Sequence, residues 1–396
     1  MNLKMKSDKS VNNSTPNLKS FFAILMAIQF FIYFGFSIVI PVIPALVKSL
    51  GLNAFHMGLL LSVYSIASFI AAPFWGQLSD KIGRKKILII GLIGFAVSFL
   101  TFGLFIDNLA LLYASRIIGG LFSGACFSTT TSIVADVTTS EERNRYMGLM
   151  GMMIGFGFIF GPAVGGLLAG YSYQLPYFVT TAILVAIIIG VFLSLPETHH
   201  HEPGHQVKQK LNYTVPIIIL LISTFIVTMT MSGMESSFQL LEIEKINITP
   251  TQMGMLFMIG GLVNGLLQGG YLRKVQHGQE KRVMVAGQMI TIIAFIMLPF
   301  TMNLIYAGIC LVLLMSGNAL VRTLLTSTLT KTTSSRNMGK LTGVSYSLDS
   351  LGRIIGPLLF TGLMTYSLSL PFFIGAVTSL IALVLITIYF TKGTTA

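Results

Sequence analysis

The sequence predicts an all-α membrane protein: twelve transmembrane helices in two pseudo-symmetric six-helix bundles. Three observations predict it. The chain is 54% hydrophobic and only 10% charged, whereas a soluble domain carries about 25% charged residues. Its apolar residues fall in long blocks separated by short polar spacers, the pattern of a chain that crosses a bilayer repeatedly. One motif also occurs twice. Gly157-Phe158-Ile159-Phe160-Gly161-Pro162 returns as Gly352-Arg353-Ile354-Ile355-Gly356-Pro357, nearly half of the 396-residue chain further on. Thr138-Thr139-Ser140 ahead of the first copy is echoed by Thr332-Thr333-Ser334 ahead of the second. A duplicated bundle of hydrophobic helices, with a site between its halves, is a common architecture of moving membrane transporters.

The expected spans are 20–46, 56–78, 86–106, 109–134, 145–170 and 175–195 in the first half. In the second half they are 214–241, 250–273, 282–301, 303–330, 340–365 and 369–391. Each reaches the roughly 20 residues needed to cross about 30 Å of hydrocarbon. Open strands and irregular backbone leave polar groups unsatisfied in lipid, so the spans are helices. The first apolar run is too long for a signal sequence and is read as a retained helix. The polar stretch 196–213 separates the bundles 1–195 and 214–396 as a linker. Its His199, His200, His201 and His205 read as a solvated segment; the alternative, a weak metal site, lacks a further ligand to close it. Cys126 and Cys310 read as buried thiols, with neither metal-ligand nor disulfide spacing.

The net charge of +12 does not point to nucleic acid, because the basic residues sit beside the membrane. Lys4, Lys6, Lys9 and Lys19 precede the first span. Lys81, Arg84, Lys85 and Lys86 follow the second, Arg273, Lys274, Lys281 and Arg282 the eighth, and Lys331, Arg336 and Lys340 the tenth. With twelve spans these all share one side, and the opposite loops hold only Lys48 and Lys245. The positive-inside rule therefore places both termini in the cytoplasm. The spans contain no nucleophile–base set, and no Gly-x4-Gly-Lys-Ser/Thr phosphate loop occurs; an enzyme is not expected, and no cofactor beyond protons as coupling ion.

The connection after the second span reads Gly76-Gln77-Leu78-Ser79-Asp80-Lys81-Ile82-Gly83-Arg84-Lys85-Lys86. Small residues permit a tight turn between helix ends. Asp80 among cations can hold an arginine or a helix N-terminus in one conformation and release it in another. In the repeated motif, small residues four apart let helix backbones approach closely, and proline after glycine removes a backbone hydrogen bond and bends the helix.

On these residues the chain resembles the major facilitator superfamily. Gly76 to Lys86 resembles its loop signature. Leu112-Tyr113-Ala114-Ser115-Arg116-Ile117-Ile118-Gly119-Gly120 resembles its fourth-helix signature. Gly157, Gly161, Pro162, Gly165 and Gly166 are similar to its fifth-helix antiporter signature. Gly35 through Pro41-Val42-Ile43-Pro44 resembles the first-helix signature of the twelve-helix drug/proton antiporters. The resemblance implies that Gly76, Asp80, Gly83 and Arg84 form a cytoplasmic latch with Asp136 and the start of helix eleven. It implies that Arg116 helps proton coupling, and that Gly157, Gly161 and Pro162, with Gly352, Gly356 and Pro357, pack the halves closely. It further implies a monomer in a bacterial cytoplasmic membrane. The second half departs from the pattern: Gly270-Tyr271-Leu272-Arg273-Lys274 carries no acid where Asp80 would fall, so its latch is not a copy of the first.

A charge in hydrocarbon costs at least ~2.5–3.5 kcal/mol and is a functional hypothesis by default. Glu235 in span seven is the first choice of proton carrier; the related efflux pumps carry a matching acid there. A carboxyl that carries a proton and attracts a cation makes the two compete, which is the simplest antiport. The alternative is a hydrated position at the outer mouth, as expected for Glu242 and Glu244. The residues before Arg322, Asn318-Ala319-Leu320-Val321, are neutral, so the second acid of those pumps is missing. Asp349 in span eleven can replace it as a proton-linked switch, or form a structural pair with Arg353 four residues on.

A wide apolar cavity is expected, lined by Phe30, Tyr33, Phe34 and Gln29 of span one, Phe127 of span four, Glu235, Phe238 and Gln239 of span seven, and Asn318 and Arg322 of span ten. Aromatic rings there would stack on flat or cationic compounds. The whole reads as a proton-coupled exporter of small amphipathic or cationic substrates. A dedicated exporter of a metabolite or lipid-linked sugar is the alternative. A proton-coupled importer is a weaker one, for which Pro196-Glu197-Thr198, similar to a segment of sugar porters, is the only pointer.

Overall fold

A computed structural model describes residues 18–138, 140–198, 214–276, 278–332 and 338–392. Lys4, Lys6, Lys9, the histidine-bearing linker and Arg336 lie outside them. Among the described residues the chain is helical throughout. The first half comprises α1 (Leu18–Ile38), α2 (Val42–Ser49), α3 (Ala54–Ile82), α4 (Arg84–Leu104), α5 (Leu109–Val137), α6 (Ser140–Ala169) and α7 (Leu175–Ser194). The second comprises α8 (Val215–Ile246), α9 (Pro250–Leu266), α10 (Glu280–Met297), α11 (Leu304–Lys331), α12 (Met338–Met364) and α13 (Leu370–Lys392).

These are the twelve expected spans, with α1 and α2 together making the first. That span is broken at residues 39–41 rather than continuous, because Pro41 donates no backbone hydrogen bond and disfavours helix in the residue before it. Eleven spans are long and apolar enough to cross a membrane; the remaining long helix, α12, carries Asp349 and Arg353 in its middle. α9 runs into a π-turn at Leu267–Tyr271, where Gly269 and Gly270 loosen the ladder.

Polar residues cap several helix starts. Asn53, Asn108 and Asn303 accept from the amides of His56, Leu111 and Tyr306 at the starts of α3, α5 and α11. Thr249 and Gln252 make a reciprocal capping box at α9. These four caps share one end of the bundle. The other end bears Lys81, Arg84 and Lys331 and is called the basic end below.

The two halves repeat one packing. Gly157 and Gly161 of α6 lie against Phe34, Ser37 and Ile38 of α1 so closely that a Cβ would clash, and the Ser37 hydroxyl donates to the Gly157 carbonyl at 2.8 Å. Gly352 and Gly356 of α12 lie in the same way against Met229 and Gly233 of α8. Cys126 and Cys310 are both buried free thiols.

Candidate functional site: a closed seam, an open end and a central charge cluster

The glycines of the repeated motif pack within their own half, on α1 and α8, not between the halves as the resemblance implied; its prolines join the halves away from the basic end. Gly254 of α9 sits on the Pro162 carbonyl of α6, and Gly58 of α3 sits on the Pro357 carbonyl of α12; neither position has room for a Cβ. Each copy of the motif thus receives one glycine from the other half, and α9 and α3 occupy matching places in the repeat. Gly166 presses against the Pro250 carbonyl, and its own carbonyl accepts from the Thr251 hydroxyl at 2.9 Å. The Ser62 hydroxyl donates to the Ile354 carbonyl at 2.6 Å. Lys48 closes the same end with an ion pair to Glu244 at 3.1 Å and a hydrogen bond to the Ile243 carbonyl at 3.3 Å.

Toward the basic end the halves separate. The stripe of α6 that meets α9 at Gly166, Pro162 and Ile159 continues through Gly155, Gly151 and Gly148, where a Cβ would meet nothing within 4 Å. The same holds at Gly269 and Gly270 after α9 and at Gly343 of α12, and Tyr346 is 71% exposed. The space between the halves is therefore sealed at one end and open at the other.

A charge cluster of the second half faces that space. Asp349 Oδ2 lies 2.8 Å from Arg322 Nη2 and 3.6 Å from Arg353 Nη2, and Oδ1 accepts from the Thr228 hydroxyl at 2.5 Å. The Arg322 and Arg353 side chains keep 43% and 37% of their exposure, against 13% for Asp349. Asp349 thus has two arginine partners, not only the one four residues on. Glu235 is half-buried and within electrostatic reach of both arginines. Among the described residues its carboxylate forms no ion pair within 4 Å. From the other half, Tyr33 lies within electrostatic reach of Arg353, Arg322 and Asp349. Its ring meets Phe127 at 4.9 Å and Phe158 at 5.7 Å.

The remaining expected liners are distributed unevenly. Phe30 is half-buried beside Tyr33, and Asn318 is half-buried one turn before Arg322. Phe34 is 6% exposed, held behind Gly157. Gln29 is 3% exposed, its side-chain oxygen accepting from Thr130 at 3.1 Å. Phe238 and Gln239 are fully buried in the closed part, Phe238 edge-on to Phe257, so the structure does not bring them to the open space. Phe158 joins the aromatic group without having been expected there. The sequence held the signal: it stands in the first motif copy where Arg353 stands in the second.

Glu242 differs from its expectation. It is fully buried rather than hydrated, because α8 runs on to Ile246 and turns this residue inward. One oxygen accepts from Thr301 at 3.0 Å and the other has no hydrogen-bond partner among the described residues. Arg116 is likewise buried and has no carboxylate within 4 Å among the described residues. Its guanidinium lies 4.4 Å from the Phe102 ring centre and 6.0 Å from those of Tyr64 and Phe99, an aromatic cage that replaces an ion pair.

At the basic end, Arg84 binds Asp80 at 2.5 Å, Asp136 at 2.9 Å and the Ser79 hydroxyl at 2.6 Å, all within the first half. Gly83 holds φ +110, a conformation natural to glycine, and Gly76 has open space around it. The side chains at the start of α12 lie outside the described residues. Glu197 is a member that sequence reasoning missed: its carboxylate accepts from the amides of Arg84 at 2.7 Å and Lys85 at 3.3 Å, capping α4 from the far end of α7. The second half has its own tie, Lys331 to Glu280 at 3.2 Å.

A family model described as Major Facilitator Superfamily matches residues 25–357. Multidrug resistance protein 2 of Bacillus subtilis (strain 168) is 31% identical over 382 residues, spanning 92% of each chain. Quinolone resistance protein NorA of Staphylococcus aureus (strain MSSA476) is 29% identical over 368 residues, spanning 91% of this chain and 94% of that one. Among solved structures, the human organic anion transporter MFSD10 (TETRAN) aligns with a TM-score of 0.70 at 21% identity, over 94% of this chain and 100% of that one. A bacterial homolog to the human lysosomal transporter Spinster, in an inward-facing and occupied conformation, aligns with a TM-score of 0.74 at 14% identity, over 97% and 98%.

Proposed function

The chain belongs to the major facilitator superfamily, and we propose that it exports amphipathic, often cationic compounds from a bacterial cytoplasm in exchange for protons, by alternating access. The observation that carries the reading is Glu235: a carboxylate inside the membrane with no ion-pair partner among the described residues, within electrostatic reach of two guanidiniums, in a space sealed at one end and open at the other. The names of the two related proteins, a multidrug and a quinolone resistance protein, support drugs as the cargo. The bundles are 1–195 and 214–396, joined by 196–213 and working as a monomer in the bilayer. The basic end is the cytoplasmic one by the positive-inside rule, so the conformation described here faces inward.

In this reading a cation entering from the cytoplasm meets the ionised Glu235. Asp349 already holds Thr228, Arg322 and Arg353, so Glu235 is the carboxyl free to exchange a proton. Substrate and proton compete for it. Closure of the open end then requires the latch around Asp80, Arg84 and Asp136 to re-form across the halves, while the glycine–proline seam parts at the outer end. A proton arriving from outside discharges the substrate and favours return. Arg116 contributes a fixed positive charge from the first half.

The test is transport into proteoliposomes under an imposed pH gradient, with ethidium, a fluoroquinolone and a quaternary ammonium. Wild type should accumulate several of them and move protons in exchange, and Glu235→Gln should do neither. Transport of none of the three would count against the reading. Normal coupling in Glu235→Gln would move the proton to another group.

A further inference from the structure

We infer that Arg353 is a carboxylate-binding residue of the central space, and that the site therefore favours zwitterions, with the substrate ammonium at Glu235 and its carboxylate at Arg353. This deepens the export reading above and rests on it.

The argument is one of charge balance inside a membrane, where an uncompensated ion is costly. Arg322 and Arg353 bring two positive charges, and Asp349 brings one negative charge. Asp349 gives its short contact to Arg322 at 2.8 Å and its other oxygen to Thr228 at 2.5 Å. Arg353 is left with the longer 3.6 Å contact and 37% of its side chain exposed, so most of its five N–H donors remain available. With Glu235 ionised the four groups sum to zero. A monocation bound at Glu235 tips the sum to +1. A zwitterion keeps it at zero, provided its carboxylate reaches a guanidinium, and a planar fork that can bind a carboxylate in two places is the better partner.

The position of Arg353 supports this. Gly352 is pressed onto α8, and the next residue, 37% exposed, lies within electrostatic reach of Tyr33 of the other half. The first copy of the motif places Phe158 at the matching position, in contact with Tyr33. The two motif copies thus offer one aromatic ring and one guanidinium, a fit for a flat aromatic compound bearing a carboxylate.

The test uses three probes in proteoliposomes: ciprofloxacin, a zwitterion; its methyl ester, a monocation of nearly the same shape; and ethidium. In Arg353→Gln the KM for ciprofloxacin should rise about tenfold, the scale of one charge-assisted hydrogen bond. The KM for the ester and for ethidium should rise less, so that the ratio of the ciprofloxacin KM to the ester KM goes up about fivefold or more. Arg353→Lys keeps the charge without the fork and should raise the ciprofloxacin KM less. An unchanged ciprofloxacin KM in Arg353→Gln overturns the inference, and so does an equal rise for all three probes. If Arg353→Gln transports nothing, Arg353→Lys decides, and equal effects on ciprofloxacin and its ester overturn it. Wild type that moves ethidium but not ciprofloxacin removes the zwitterion site and leaves export standing. Wild type that moves none of the three removes both.

Discussion

In the first half, Arg84 at the start of α4 binds Asp136 at the end of α5; in the second, Glu280 at the start of α10 binds Lys331 at the end of α11. The two pairs occupy matching places in the repeat, with their charges exchanged. Each lies beside a glycine in a left-handed conformation, Gly83 at φ +110 and Gly278 at φ +92. What the duplication preserves is the need to tie these two helix ends together at the membrane surface, and either sign of charge does that. The interiors have diverged further. Arg116 of the first half sits sealed among Tyr64, Phe99 and Phe102. Arg322 and Arg353 of the second half-face an open space in the company of Asp349 and Glu235. On the proposed function, stability chemistry gathers in one half and proton chemistry in the other, while the seam between them stays symmetrical.

The symmetry of the seam gives the largest expected effect. Gly58→Val and Gly254→Val each push a side chain into a proline carbonyl of the other half. Overpacking of this kind costs about 1–3 kcal/mol, and here it falls on the closed-seam state alone. Both variants should lose most transport and both should become labelled by a membrane-impermeant maleimide at a cysteine placed in the seam. A severe effect at one position and none at the other would break the symmetry.

Next in size is the exchanged ion pair. Arg84→Glu alone should lower thermal stability by about 1–2 kcal/mol, since it sets a third carboxylate beside Asp80 and Asp136, whose side chains are 58% and 27% exposed and so partly screened. Adding Asp136→Lys and Asp80→Gln, the last matching Gln276 of the second half, should restore much of the loss. Melting in detergent reads the result; no recovery would mean that the two ties are not equivalent.

Arg116→Lys keeps the charge but loses the flat stacking surface, for which about 1–2 kcal/mol is the scale. Its melting temperature should fall by a few degrees with transport retained. Smallest is Lys48→Ala. Its pair with Glu244 is 42% and 46% exposed, so the loss should stay under about 1 kcal/mol and vanish in high salt.

The fold was legible because apolar length and the doubled Gly-Pro motif survive in any membrane environment. The places of the intramembrane charges along their helices were legible too, since a charge in an apolar run stands out. Facing was not. In helices apolar all round, periodicity does not separate lipid from cavity, which is why Phe238 and Gln239 were expected at a space they do not reach and Phe158 was passed over. Glu242 misled because the apolar run ends before it, while the helix does not. Glu197 could not be found from sequence, since its partners lie more than a hundred residues away. The Glu280–Lys331 tie was visible in the aligned repeat, but only to a comparison that allows the sign to invert.

The most direct test of this division of labour is proton release on substrate binding. Ethidium is added to purified protein in weakly buffered detergent solution, and a pH-indicator dye follows the release, for wild type, Arg116→Lys and Glu235→Gln. The account predicts release by wild type and by Arg116→Lys, and none by Glu235→Gln. Release that persists in Glu235→Gln and disappears in Arg116→Lys would contradict it and place the coupling proton in the first half.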